Sequence, residues 1–232
     1  MSNLYGPRIV TDGLVLNLDA GNRKSYPGSG STWYDLSGNG RNFNWYTAPS
    51  FTTGSIPYFS TAGNRCTGPA SNSFGINNTS GYTIFIACRE ISLTTSGAFK
   101  FYGDVGYSRG IFSHLTWGSI VYFDQAGCCG SNQRTSAASG GSQTWNIWTL
   151  RRFTNSSVRT ISKNGITLAT NSNGASNIDL NSTGVDVGSS NEYGGNSSTW
   201  NARLQCFTVY NRGLSDAEIV NNCNAIKGRY GL

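Results

Sequence analysis

The sequence predicts an all-β protein, an antiparallel β-sandwich with one short C-terminal helix. Three observations carry that reading. Short runs of β-branched and aromatic residues are punctuated by Gly, Asn, Ser and Asp along the whole chain. Glycine is 30 of 232 residues and aromatics reach 12%, while charged residues are only 12%, half the share of about 25% usual in globular domains. Only one stretch, near the end, has the apolar spacing of a helix.

In chain order, Leu14-Val15-Leu16-Asn17-Leu18 places three leucines on one face and stops at Asp19-Ala20-Gly21-Asn22. Phe43 to Trp45 reads as an aromatic strand. Tyr82 to Cys88 is almost continuously apolar, the pattern of a strand buried on both faces. Ile111-Phe112 and Ile120 to Phe123 flank a turn near Trp117-Gly118, and Trp145 to Leu150 follows a Ser/Gly-rich loop from Ser136 to Ser142. Val158 to Ser162 and Ile166 to Ala169 are joined by Lys163-Asn164-Gly165, and Asn-Gly is a strong hairpin signal because both residues tolerate positive φ. Leu204 to Tyr210 is the last strand. The helix begins at Ser215, with Glu218 three residues on to form a capping box. Ile219, Cys223 and Ile226 make its apolar stripe, and Gly228 is placed to end it.

No Pro-rich or charge-rich linker and no repeat divides the chain, so residues 1–232 are expected to form one domain. Disordered chains are charge-rich and aromatic-poor, the reverse of this one. No apolar run approaches the ~18 residues of a membrane span. The opening MSNLYGPRIV shows no basic region followed by an apolar one, so no secretory signal is expected.

Two terminal motifs carry a resemblance. Gly13-Leu14-Val15-Leu16-Asn17-Leu18-Asp19-Ala20-Gly21, followed by Trp33-Tyr34-Asp35-Leu36-Ser37-Gly38-Asn39-Gly40, resembles the start of laminin-G-like, concanavalin A-like lectin and glucanase domains. Gly184 to Gly188 and then Phe207-Thr208-Val209-Tyr210-Asn211-Arg212-Gly213-Leu214-Ser215-Asp216-Ala217-Glu218-Ile219 resembles the end of such domains. The resemblance implies a concanavalin A-like jelly-roll β-sandwich of two curved antiparallel sheets, with the short helix packed beside the last strand. Stand-alone copies of this kind are similar to virion proteins of tailed bacteriophages, cyanophages among them. That likeness implies a virion-surface protein, for decoration, fibre or attachment, docked on capsid or tail proteins and on other copies of itself. Fold alone does not fix function.

The glucanases of this fold place two Glu and an Asp in alternation along one strand, and glycosidic cleavage needs two carboxylates about 5 to 9.5 Å apart. This chain has three Glu, namely Glu90 at a strand end, Glu192 in a loop and Glu218 in the capping box, and none of them alternates with an Asp along a strand. Asp179 and Asp186 read as strand-end or turn residues. The lone His114 would need a converging nucleophile and acid to work as a base, and its plainer reading is a half-buried or surface side chain. The expectation is a non-catalytic protein without a cofactor, with a glycan hydrolase resting on Glu192 as an alternative.

The six cysteines are Cys66, Cys88, Cys128, Cys129, Cys206 and Cys223, with no Cys-x-x-Cys pair. Cys88, Cys206 and Cys223 read as small buried hydrophobes, with a Cys206–Cys223 bridge as the alternative. The resemblance admits a structural calcium ion, but no residue maps onto a ligand for it.

Carbohydrate recognition combines an aromatic platform with polar groups that fix the hydroxyls. Polar loops with that mixture run from Asn191 to Asn201 and from Tyr102 to Arg109, which makes Tyr107, Tyr193 and Trp200 the candidate sugar-binding residues. Trp33-Tyr34 and Trp45-Tyr46 have the composition too, the first pair reading as packing. The net charge is +6, yet only Arg23-Lys24 and Arg151-Arg152 are adjacent basic pairs, and the latter point to opposite faces of one strand. That scatter argues against nucleic acid and for attraction to acidic polysaccharide, such as host surface polysaccharide, or to a negatively charged protein lattice. A free lectin-like protein is the second reading.

Overall fold

Alternating side chains on short strands produce two eight-stranded antiparallel sheets in the computed structural model, which describes residues 7–92, 97–103, 110–140, 143–190 and 198–232. The first sheet holds β1 (Leu14–Asp19), β4 (Ser50–Thr52), β5 (Tyr58–Ser60), β7 (Tyr82–Glu90), β12 (Asn146–Arg152), β13 (Arg159–Lys163), β14 (Ile166–Asn171) and β18 (Ala202–Tyr210). The second holds β2 (Thr32–Trp33), β3 (Phe43–Trp45), β6 (Cys66–Ala70), β8 (Gly97–Phe101), β9 (Ile111–Trp117), β10 (Ile120–Gln125), β11 (Arg134–Ala138) and β15 (Gly184–Val187). β16 (Ser189–Ser190) and β17 (Ser198–Thr199) form a two-stranded ribbon beside them.

The first sheet runs β14-β13-β12-β7-β18-β5-β4. The outer edge of β18 is shared, Arg203 and Leu204 pairing with β5 and Cys206 to Tyr210 pairing with β1. The second runs β11-β10-β9-β8-β15-β6-β3-β2. Between the sheets, Leu16, Ile84, Ile86, Trp148, Leu150 and Phe207 meet Trp33, Phe43, Phe99, Leu115, Phe123 and Val187 in one buried core. Trp33 and Trp45 stack at 6.2 Å between ring centroids. The layered, antiparallel architecture is the expected jelly-roll sandwich.

The Asn164-Gly165 turn forms as the sequence predicts, with φ of +53° and +87°. The Asn164 carboxamide also accepts from the Ile147 amide at 2.8 Å, which ties the hairpin to β12. Tyr82 to Cys88 is buried on both faces because helix α1 (Asp216–Ile226) covers the outer side of the first sheet. Phe85, Ala87, Ile147, Cys206 and Tyr210 from that face meet Leu214, Ile219 and Cys223 in a second apolar cluster. The capping box is present, with Ser215 Oγ accepting from the Glu218 amide and Glu218 accepting from the Ser215 amide at 2.8 Å. Arg212 donates two hydrogen bonds to Glu218 and holds its carboxyl down at about 2.

Two local expectations need correction. The helix does not end at Gly228. A 3-10 turn over Lys227–Tyr230 continues it, because Tyr230 is buried and stacks on Trp145 at 5.3 Å, and Gly231 at φ +70° closes that turn. Ser136 to Ala138 is not loop but strand β11, since Thr135 and Ala137 alternate inward between exposed Ser136 and Ala138.

Candidate functional site

The outer faces of the two sheets differ, and the second sheet carries the functional candidates. Its registers align one side chain from each strand into a row: Thr32 opposite Asn44, Asn44 opposite Thr67, and Thr67 opposite Asp186. The row continues with Asp186 opposite Lys100, Lys100 opposite Phe112, Phe112 opposite Asp124, and Asp124 opposite Arg134. Period-two alternation fixes its side of the sheet. Phe43 and Trp45 flank Asn44, Val185 and Val187 flank Asp186, and Phe99 and Phe101 flank Lys100, and all six point into the core. The row faces away from it, but its middle members Asp186, Lys100, Phe112 and Asp124 are buried. The groups it opens to solvent therefore lie toward its ends, Thr32, Asn44, Tyr46 and Thr67 at one and Arg134 at the other.

Asp186 is its best-held member. Thr67 donates to one oxygen at 2.6 Å and the Tyr102 hydroxyl to the other at 2.7 Å, while Arg65 stands 3.8 Å away. The Arg65 guanidinium in turn covers the Tyr46 ring at 5.4 Å, and Tyr46 is 78% exposed. At the other end Arg134 makes a forked pair with Asp124 at 2.7 and 2.6 Å and lies 4.1 Å over the Tyr122 ring. Those hydrogen bonds raise the Arg134 pKa. Trp117, 42% exposed, meets the His114 ring at 4.9 Å. The face therefore alternates rings with fixed hydrogen-bonding groups, the composition that a sugar's C–H face and hydroxyls require.

The residues singled out from the sequence fare differently. Tyr107 and Tyr193 lie outside the described residues, as does Glu192. Trp200 is a correction: its ring is 1% exposed, and its indole N–H donates to the Leu115 carbonyl inside the core, which leaves no face for a ligand. His114 is not half-buried but fully buried on the outer face of β9, edge-on to Phe112, Trp117 and Tyr122. Asp186 is neither a strand end nor a turn; it sits between two core valines in β15. Glu90 does end β7, but it is buried, with the Trp148 indole donating to it at 3.2 Å. Burial pushes its carboxyl up to about 7. Arg151 and Arg152 do face opposite ways, Arg151 outward to Asp216 at 2.7 Å and Arg152 inward. All six cysteines are free thiols, and Cys88, Cys206 and Cys223 are buried. Among the described residues no three His, Cys, Asp or Glu side chains gather into a metal-binding cluster.

Sequence reasoning noted Trp45-Tyr46 without choosing it, and missed Asn44, Thr67, Asp186 and Arg134 as members of one face. The signal was present in Phe43-Asn44-Trp45 and Val185-Asp186-Val187, where a polar residue between two apolar ones faces away from the core.

A second concavity of about 430 Å³ lies where α1 stands off β1 and β18, floored by Leu14, Phe85 and Cys206. Its polar groups satisfy one another, with Thr208 donating to Asn17, Asn222 to Tyr210 and Arg229 to Asp19.

No protein-family profile matches the chain, and no curated protein does. Solved structures do. The chain is similar to a mutant of Trypanosoma rangeli sialidase displaying trans-sialidase activity at 15% identity and TM-score 0.67, over 98% of this chain and 35% of that one. It is similar to the binding domain of Paraclostridial Mosquitocidal Protein 1 at 16% identity and TM-score 0.66, over 93% of this chain and 52% of that one. The binding domain of botulinum neurotoxin DC in complex with SialylT gives 15% identity and TM-score 0.66, with the same coverage. The chain thus spans about a third to a half of these proteins. At such identities the likeness shows the fold alone, a jelly-roll sandwich.

Proposed function

We propose that the chain is a non-catalytic, lectin-like carbohydrate-binding domain whose ligand lies across the outer face of the second sheet. The observation that carries this is the eight-strand row from Thr32 to Arg134, with Asp186 fixed by Thr67 and Tyr102 and with Tyr46, Tyr122 and Trp117 as its rings. Two of the structurally similar proteins, a sialidase and a binding domain held with SialylT, support an acidic sugar as the ligand class. The +6 charge and the partly exposed cations Arg65 and Arg134 on or beside the row suit an acidic polysaccharide.

The non-catalytic reading has a geometric basis. The row's two carboxylates, Asp124 and Asp186, are three strand spacings apart, about 14 Å at ~4.8 Å per strand, beyond the reach of paired glycosidase carboxylates. Glu90 is buried on the inner face and Glu218 is engaged in the helix cap. The finer reading, a virion-surface protein docked on capsid or tail proteins and on its own copies, rests on the phage-protein resemblance of the terminal motifs.

The test is binding of the purified chain to a glycan array and to bacterial envelope polysaccharide, with calcium and with chelator. Selective binding that survives salt, and falls at least tenfold in Asp186→Asn and Tyr46→Ala, is the expected result. Silence across the array overturns the carbohydrate reading, and absence of the protein from purified particles overturns the virion reading. Turnover of a polysaccharide, lost in Glu192→Gln, would overturn the non-catalytic one.

A further inference from the structure

At one end of the core two arginines lie side by side. Arg152 and Arg159 are direct cross-strand partners on β12 and β13, and both point inward. Arg152 is 5% exposed and donates to the Ser156 carbonyl at 3.0 Å and to Asn78 at 3.1 Å. Arg159 is fully buried, and its one hydrogen bond, to the Ser131 carbonyl, is long at 3.4 Å. Its Nε and Nη1 have no partner. Among the described residues no carboxylate lies within ion-pairing distance of either guanidinium. Burial, and Arg152 beside it, pull the Arg159 pKa below its ordinary value, while Tyr82 and the more distant Asp124 carboxylate pull it back up.

A buried cation is ordinarily paired, because an isolated charge in a low-dielectric interior is costly. Two further features point to what supplies the pairing. The hydroxyl of Thr135, on the inward side of β11, is also buried without a partner. A groove of about 310 Å³ opens between β11 and β14, and Thr135 and Asn171 line it. Asn171 is the strand partner of Arg159. The unpartnered hydroxyl of Thr135 thus borders this polar opening, and Arg159 lies one strand behind it, beside Asn171.

We propose that this end of the sandwich binds a small inorganic anion, held by Arg159 and Thr135 with Arg152 alongside, and entered from the β11–β14 groove. The anion closes a charge imbalance in the core and is separate from the sugar-binding face.

The experiment is thermal unfolding of the whole chain at fixed ionic strength, titrating chloride, phosphate or sulfate against a large organic anion. The wild-type midpoint is expected to rise with the logarithm of anion concentration above Kd, by roughly 5 °C at about thirtyfold excess. Arg159→Met should lose that rise, and Thr135→Val should need several-fold more anion. A response to chloride alone assigns a halide, and one to phosphate and sulfate alone assigns an oxyanion. Equal shifts in wild type and Arg159→Met would mean a general salt effect and would overturn the site. Should Arg159→Met not fold, crystals soaked in bromide and in selenate decide the matter. An anomalous peak in hydrogen-bonding reach of Arg159 supports the site, and none in either soak overturns it.

Discussion

The two outer faces of this sandwich are built on the same alternation and used differently. On the first sheet the outward positions of β7, β12 and β18 include the apolar Phe85, Ala87, Ile147, Cys206 and Tyr210, and α1 closes over them. On the second, the outward positions are Thr, Asn, Asp, Lys and Arg with rings between them, each acid gripped by a hydroxyl or a guanidinium. One face is closed by a helix; the other is left to polar side chains and rings. A residue's surroundings therefore depend on its face, not on its type: Phe85 and Tyr46 are both aromatic, yet the first is buried under α1 and the second stands exposed beside Arg65.

The largest effect should come from breaking the covered face. Phe85→Ala is expected to cost about 3–5 kcal/mol in denaturant unfolding, because it empties the cluster under α1. A loss below about 1 kcal/mol would show that the helix is an ornament rather than a second core.

Glu90 sharpens the contrast from inside. Unlike Asp124, it is buried with only an indole as its hydrogen-bonding side-chain partner among the described residues. Its folded pKa of about 7 exceeds the ordinary 4.5, so the unfolded chain releases the proton first and stability falls as pH rises from about 4.5 to 7. Glu90→Gln should therefore stabilise by about 3 kcal/mol at pH 8 and leave stability unchanged near pH 4. A pH-independent difference would contradict this.

Glu218 titrates with the opposite sign. Its carboxyl is held at about 2, so its contribution is complete above pH 4.5 and disappears as pH falls toward 2. Ser215→Ala should cost about 1 kcal/mol by losing the cap. Glu218→Gln should cost no more than about 1 kcal/mol at pH 7, since the pair is partly exposed, and nothing at pH 2. Unfolding curves at the two pH values check both.

The smallest stability effect belongs to the open face. Tyr46→Ala should stay within about 0.5 kcal/mol of wild type while weakening glycan binding, because its exposed ring packs against little beyond Arg65. A large loss of stability would make that face structural.

Most of the fold was legible in the sequence because its signals are local. Asn164-Gly165 and Ser215 with Glu218 each specify a turn or cap within a few residues. The helix end was misread because Tyr230 is held by Trp145, a contact 85 positions away in sequence that no local pattern shows. The site was half legible. Asn44 and Asp186 were marked by alternation, but their alignment depends on the registers of eight strands, which only the assembled sheet supplies. Trp200 misled for a related reason: it stands among polar loop residues, yet the chain there turns its ring into the core.

The pairing of β1 with β18 has a consequence during synthesis. Leu14 to Asp19 meets its partner only when residues 206–210 have left the ribosome. At roughly 5–20 residues per second, the apolar first strand waits on the order of ten to forty seconds without its neighbour. Closing so long a loop comes late and slowly. Until then the chain carries an unpaired leucine-rich strand into the crowded cell, and a holdase that covers Leu14, Leu16 and Leu18 would act during that interval.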